Sequence, residues 1–207
     1  MTEPTDQNLT KGARTAARIM DVAESLFAEQ GYEGTSLRQI AAGAGIQEPG
    51  LYNHFGSKQG LYEAVLFRGL NPMAEAMTDQ LGAAVGLRDY TDLPAKMTDL
   101  LLEHPQMAAL FHQALQGNAD SVGNRLVQGW LDNLFIQGMA SIEHMGGAES
   151  DKETLALNVI AMFNLVTGYF LSTKVFESLV NGNITSQENV RRQKILLRKV
   201  VRAMLIN

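Results

Sequence analysis

Two groups of side chains in this chain have the types and spacing to contact an anion. Thr35, Ser36 and Arg38 stand at the start of a predicted helix, where hydroxyls, a guanidinium and the positive end of the helix dipole together suit a phosphate. Tyr52, His54 and Lys58 gather at the end of a second short predicted helix and the start of the next. Each also has a plain structural reading: Tyr52 as a half-buried aromatic, His54 as a solvated surface group and Lys58 as a lone surface charge. Catalytic groupings are harder to assemble. The chain has no cysteine, hence no thiol nucleophile, thiolate metal site or disulfide. Glu103 and His104 lie nine and eight residues before His112, and at about 100° per residue that spacing does not give the shared helix face of an i, i+4 metal pair. With no Gly-rich phosphate loop and no Gly-x-Ser-x-Gly elbow, the reading is not an enzyme, with no metal and no cofactor.

The elements that must position the first two groups are helices. No sustained period-two alternation occurs, so the expected fold class is all-α, with about nine helices. Ile19, Val22, Ala23, Leu26 and Phe27 form an apolar stripe on a helix over roughly residues 11 to 30, which Gly31 ends as a left-handed cap would. Ser36 with Gln39 reads as a capping box opening a short helix with Leu37, Ile40, Ala41 and Ala44 inward. Gly43 to Gly45 breaks the chain, and a second short helix begins near Gln47 or Glu48, with Pro49 in its first turn. Leu51, Tyr52 and Phe55 continue it, Gly56 stops it, and Ser57 caps a longer helix running towards Pro72 or beyond. Two short helices joined by a small-residue turn are what a helix-turn-helix needs, although many helical cores contain one.

The residues from Arg14 to about position 66 closely resemble the DNA-binding domain of tetracycline-repressor (TetR) family regulators. The likeness rests on the helix-one pattern ending in Phe27 and Gly31-Tyr32, the helix from Thr35 to Ala41, and Leu51-Tyr52-x-His54-Phe55-x-x-Lys58, in that family's order and spacing. The resemblance implies a helix-turn-helix domain over residues 11–71, its two short helices within about 34–55. It also implies an effector-binding and dimerisation domain over 72–207. In a homodimer each Gln47 to Phe55 helix would enter a major groove, at half-sites roughly 34 to 36 Å apart in a near-palindromic operator. By position, Thr35, Ser36, Arg38, Tyr52, His54 and Lys58 are then phosphate or backbone contacts, and Gln47, Glu48, Gly50 and Asn53 face base edges. Lys11 and Arg14 reach an adjacent phosphate or a minor groove. Glu48 either accepts from a cytosine amine or only favours the helix dipole.

Charge and composition bound the rest. Of 207 residues 45% are hydrophobic and 19% charged, with a net charge of −5, which suits an ordinary globular protein and excludes a strongly basic one. Residues 1–60 carry seven acids and five bases, so DNA affinity must come from local cationic placement. Residues 61–190 carry 15 acids and 6 bases, whereas Arg191, Arg192, Lys194, Arg198, Lys199 and Arg202 form a basic tail, read as a solvated face or a partner for that acidic middle. The start of the chain shows no signal core, and the expected location is cytoplasmic. Thr154 to Thr173 lacks any charge over a membrane-span length, but Asn158, Asn164, Thr167, Ser172 and Thr173 interrupt it, so a helix buried inside protein is expected. Capping-box patterns at Ser150 to Glu153 and Thr185 to Glu188 introduce helices of about 150–180 and 187–206, the expected homodimer surfaces. Met73, Met77, Met97, Met107, Phe111, Trp130, Phe135, Phe163 and Tyr169, with Met139, Met145 and Met162, are candidates to line an adaptable pocket for a small apolar or amphipathic effector. The functional expectation is a repressor released from its operator by that effector. The alternative is a helical small-molecule-binding protein with little specific DNA binding.

Overall fold

The computed structural model describes residues 10–82, 87–144 and 152–205. Among them are ten helices and no strand, in the order α1 (Lys11–Gly34), α2 (Leu37–Gly43), α3 (Glu48–Phe55), α4 (Lys58–Gly82), α5 (Leu87–Glu103), α6 (Met107–Gln116), α7 (Val122–His144), α8 (Lys152–Leu171), α9 (Thr173–Val180) and α10 (Gln187–Leu205). They divide into two compact units, residues 1–68 and 69–207.

Local sequence rules build the first unit. Thr10 caps α1 by accepting the amide of Ala13 at 3.2 Å. The break at Gly31 is real: its φ of +75° is open to glycine and strained for other residues. Helical turns resume after it as far as Gly34, so the element outlasts the expected end by several residues. The Ser36 box forms in full, the Gln39 amide reaching the Ser36 hydroxyl at 3.2 Å and the Ser36 amide reaching Gln39 Oε1 at 2.9 Å. Gly45, at φ +64°, makes the turn between α2 and α3. Ile19, Ala23 and Phe27 of α1 are buried together with Ile40, Leu51, Leu61, Val65 and Leu66, each large side chain contributing about 1.5–3 kcal/mol. Phe27, Tyr32 and Tyr62 form an aromatic cluster with ring centroids 4.9 to 6.0 Å apart. Arg68 ties α4 to α1, pairing with Asp21 at 2.6 Å and with the buried carboxylate of Glu24.

The second unit is a bundle in which α5 packs chiefly on α10 and α6 on α7 and α8. The basic tail meets the acidic middle here, through Arg198 to Asp92 at 2.5 Å and Lys194 to Asp99. Three expectations change. The helix expected over 150–180 is two elements, because the chain leaves helical geometry at Ser172, φ −90° and ψ 10°, which raises the helix number from nine to ten. The capping box at Thr185 shifts by one residue: Asn183 Oδ1 takes the Thr185 amide and hydroxyl in an Asx-type turn, so Ser186 caps α10 and Glu188 pairs with Arg191 and Arg192. The box at Ser150 lies outside the described residues. Finally, α8 is not a buried helix. It is long and apolar enough to cross a membrane by length and composition, yet only 22% of that stretch is buried. Phe163, Val166, Thr167 and Phe170 face inward, while Leu157, Ile160 and Leu171 are exposed, a stripe that nothing in the single chain covers.

Candidate functional site

The first candidate site is the outer face of the helix-turn-helix. Leu51 anchors α3 in the core, and the next three residues, Tyr52, Asn53 and His54, are exposed. Tyr52 is 47% exposed, so the outer face of this eight-residue helix presents an aromatic ring beside two polar side chains. Gln47 is exposed, makes no side-chain cap and is therefore free to reach outward, while Glu48 sits half-buried in the first turn, where a carboxylate complements the helix dipole. Gly50 is half-buried and presents backbone alone. Arg38 on α2 and Lys11 and Arg14 on α1 are exposed cations.

Three of the expected anion contacts are engaged within the unit. Thr35 is buried, and its hydroxyl donates to the carbonyls of Gly31 and Leu26 at 2.8 and 3.1 Å. It therefore closes the end of α1, and the phosphate contact expected of that hydroxyl is corrected to a folding role. Ser36 is exposed, but its hydroxyl serves the capping box. Lys58 is half-buried, its ammonium 4.4 Å from the Tyr32 ring centroid and 3.5 Å from the Glu33 carbonyl oxygen. That cation–π seat holds the charge near the first unit's surface rather than on a free stem. The sequence signal for all three was residue type at a helix start, which does not distinguish a cap from a phosphate donor.

The second candidate site is a cavity inside the second unit, holding about 1000 Å³ of empty space counting its opening to solvent. Six of the nine expected residues line it: Met73 and Met77 from α4, Met97 from α5, Phe111 from α6, Trp130 from α7 and Phe163 from α8, with Met162 beside them. Met107, Phe135 and Tyr169 do not. Met107 is wholly buried against Gly69, where a Cβ would collide with its side chain. The Tyr169 hydroxyl donates to the Ile184 carbonyl and tethers the segment before α10. Phe135 is half-buried away from the cavity, as is Met139, and Met145 lies outside the described residues. Sequence reasoning missed Leu93, Pro94 and Leu101 of α5, Leu134, and Leu155, Asn158, Val159, Val166 and Thr167 of α8, as well as Val201 and Met204 of α10. Leucine and valine at helical spacing carry no signal separating cavity from core.

His112 abuts this cavity without lining it. Thr167 Oγ1 donates to the Phe163 carbonyl at 2.7 Å, so at 2.8 Å it accepts from His112 Nε2–H. Burial lowers the His112 pKa below the usual imidazole value and holds the ring neutral, stacked on Phe163 at 5.6 Å. Glu103 and His104 do not join it, and among the described residues no three His, Cys, Asp or Glu side chains gather as a metal site would need.

The first unit thus carries a helix-turn-helix and the second an apolar cavity. Residues 19–65 match the family described as bacterial regulatory proteins, tetR family. The HTH-type transcriptional repressor KstR2 of Rhodococcus jostii is 40% identical over 63 residues, an alignment spanning 30% of this chain and 30% of that protein. The chain thus aligns with less than a third of the length of that relative. Over nearly the whole chain the likeness is one of fold. A TetR-like transcriptional regulator from Rhodococcus sp. RHA1 superposes with a TM-score of 0.69 at 22% identity, covering 97% of this chain and 100% of that one. The regulator FadR from Bacillus subtilis, solved in complex with stearoyl-CoA, gives 0.65 at 16% identity, covering 89% and 96%. Residues 19–65 thus carry the match to the tetR family, and the chain as a whole has the fold of TetR-like regulators.

Proposed function

We propose that this protein is a ligand-responsive transcriptional regulator, a repressor that binds a near-palindromic operator as a homodimer and leaves it when a small apolar or amphipathic effector enters the cavity. The observation that carries the reading is the exposed Tyr52-Asn53-His54 face of α3, held outward by buried Leu51 within a tetR-family helix-turn-helix. Gln47, Glu48, Gly50 and Asn53 are the proposed base-edge readers, and Lys11, Arg14, Arg38, Tyr52, His54 and Lys58 the proposed backbone contacts. The repressor role follows what the Rhodococcus jostii relative is called. The effector acts by linkage: a ligand that prefers a conformer with misplaced α3 helices lowers operator affinity by its preference ratio.

The second copy is supported by the apolar residues that the single chain leaves in water. Leu157, Ile160 and Leu171 follow one stripe of α8, Val175, Leu179 and Val180 are exposed on α9, and Ile195 and Leu196 on α10. These fall in the 150–180 and 187–206 surfaces expected of a dimer, and helix pairs of this kind make the four-helix packings of symmetric oligomers.

Selection of bound fragments from genomic DNA tests the reading. Enrichment of a near-palindrome is expected, with affinity falling steeply in salt and dropping roughly 10- to 100-fold in Tyr52→Ala, an exposed substitution that leaves the melting temperature unchanged. A folded, dimeric protein that enriches no site would overturn the operator assignment in favour of a small-molecule-binding protein. Leu157→Arg with Ile160→Arg is expected to yield a folded monomer by sedimentation.

A further inference from the structure

The cavity lining has a property that goes beyond its shape. It is drawn from five helices and the single α7 tryptophan's neighbourhood, and among the described residues it contains no Lys, Arg, His, Asp or Glu. Its polar side chains are Asn158 and Thr167, together with the indole of Trp130. Thr167 is already engaged, donating to the Phe163 carbonyl and accepting from His112. His112, the titratable group in contact with the lining, is kept neutral by its burial. On α5 and α10, Asp92 adjoins the lining residue Leu93, and Arg198 lies one turn before Val201, but these two charges pair with each other at 2.5 Å. Asp99 and Lys194 are likewise paired. Arg202, next to Val201, is exposed to water. A carboxylate, phosphate or ammonium carried into the interior of this cavity would lose its hydration and, among the described residues of the lining, meet no counter-charge.

The same lining rewards a neutral oxygen. Trp130 Nε1 has almost no accessible surface, which leaves the Asn158 amide as the polar group that the lining offers. The Asn158 amide can both donate and accept. From this we infer that the cavity selects an electrically neutral, mainly apolar molecule bearing one or two hydrogen-bond acceptors, of the alcohol, ketone or lactone kind, and discriminates against the ionised acid of the same carbon skeleton. This rests on the effector reading above and narrows it to a charge class.

The protein carries its own reporter, since Trp130 is the only tryptophan in the chain and lines the cavity. Intact protein is titrated with 1-octanol and with octanoate at pH 8.0, 7.0 and 6.5, following Trp130 emission. Saturable binding of octanol is expected, with an affinity independent of pH. Octanoate is expected to bind at least about tenfold more weakly at pH 8.0, because its charge must be left in water. Its apparent affinity should then rise about tenfold per pH unit on acidification, as the neutral acid, with a pKa near that of other carboxylic acids, becomes more abundant. Octanoate binding as tightly as octanol at pH 8.0, or without pH dependence, would overturn the charge selection while leaving an effector cavity in place. If neither compound gave a saturable response, the effector reading itself would fall, and the inference with it.

Discussion

The two units present their candidate recognition surfaces by opposite means. In the first, the functional face is polar and outside, and its geometry is set by a string of position-specific devices: the Thr10 and Ser36 caps, Gly31 and Gly45 at positive φ, and the Thr35 hydroxyl closing α1. In the second, the functional face is apolar and inside, built from methionine, leucine, valine and aromatic side chains that make no directional bonds. A polymer of fixed pitch such as DNA tolerates little error in where a helix presents its side chains, so residue identity is constrained one position at a time. A cavity for a neutral apolar molecule constrains only volume and the absence of charge, which many sequences satisfy. In keeping with this, residues 19–65 of the first unit match a family model, whereas the likeness over the full chain is one of fold.

The largest expected effect that tests this contrast is Phe27→Ala. Phe27 is fully buried at the centre of the Tyr32–Tyr62 cluster, and its loss is expected to cost about 3–5 kcal/mol. Operator binding should disappear, while Trp130 emission and octanol binding persist; loss of both would show the units to be one cooperative structure. Thr35→Val comes next, at about 1–3 kcal/mol, because the Leu26 and Gly31 carbonyls lose their donor. Below its melting temperature its operator affinity should match the parent, and a clear loss of affinity by the folded variant would restore Thr35 as a phosphate contact. In the cavity, Met73→Leu keeps the volume and should change stability by under about 1.5 kcal/mol, with octanol affinity shifted by less than about tenfold. A much larger loss would mean that the lining is as position-specific as the helix-turn-helix. The smallest effect is a pH slope. His112 has a folded pKa below its unfolded value, so the unfolded chain binds a proton first as the pH falls below about 6.5, and stability falls with it. His112→Gln should flatten that part of the melting-temperature profile and leave the profile above pH 7 unchanged.

Much of the first unit was legible in the sequence because its determinants are local. A capping box, a glycine at a turn and an apolar stripe each act within about four residues, and Ser36 with Gln39, Gly45 and Ile19 through Phe27 behave as their spacing predicts. Reading failed where one residue type serves two purposes. Thr35 at a helix start resembles a phosphate donor, yet the return of the chain at Gly31 brings two carbonyls within its reach. Thr185 resembles a cap, yet Asn183 captures it first.

The second unit was legible only in kind. Helical periodicity identifies which residues point inward, so Met73, Met97, Trp130 and Phe163 were correctly expected at an apolar interior surface. It does not say whether an inward residue meets a neighbour or a void. Met107 and Met77 are both buried methionines of ordinary helices, but α6 crosses Gly69 closely enough to fill the space beside Met107, while the space beside Met77 stays open. The sequence by itself determined the helices of the first unit, the Ser36 capping box and the order of the helix-turn-helix, because those depend on contacts between near neighbours in the chain. The tertiary structure alone decided where the cavity lies, that its wall carries no charge among the described residues, and which face of α8 is left apolar in water, because each depends on how distant helices cross and how their side-chain volumes fail to fill the space between them.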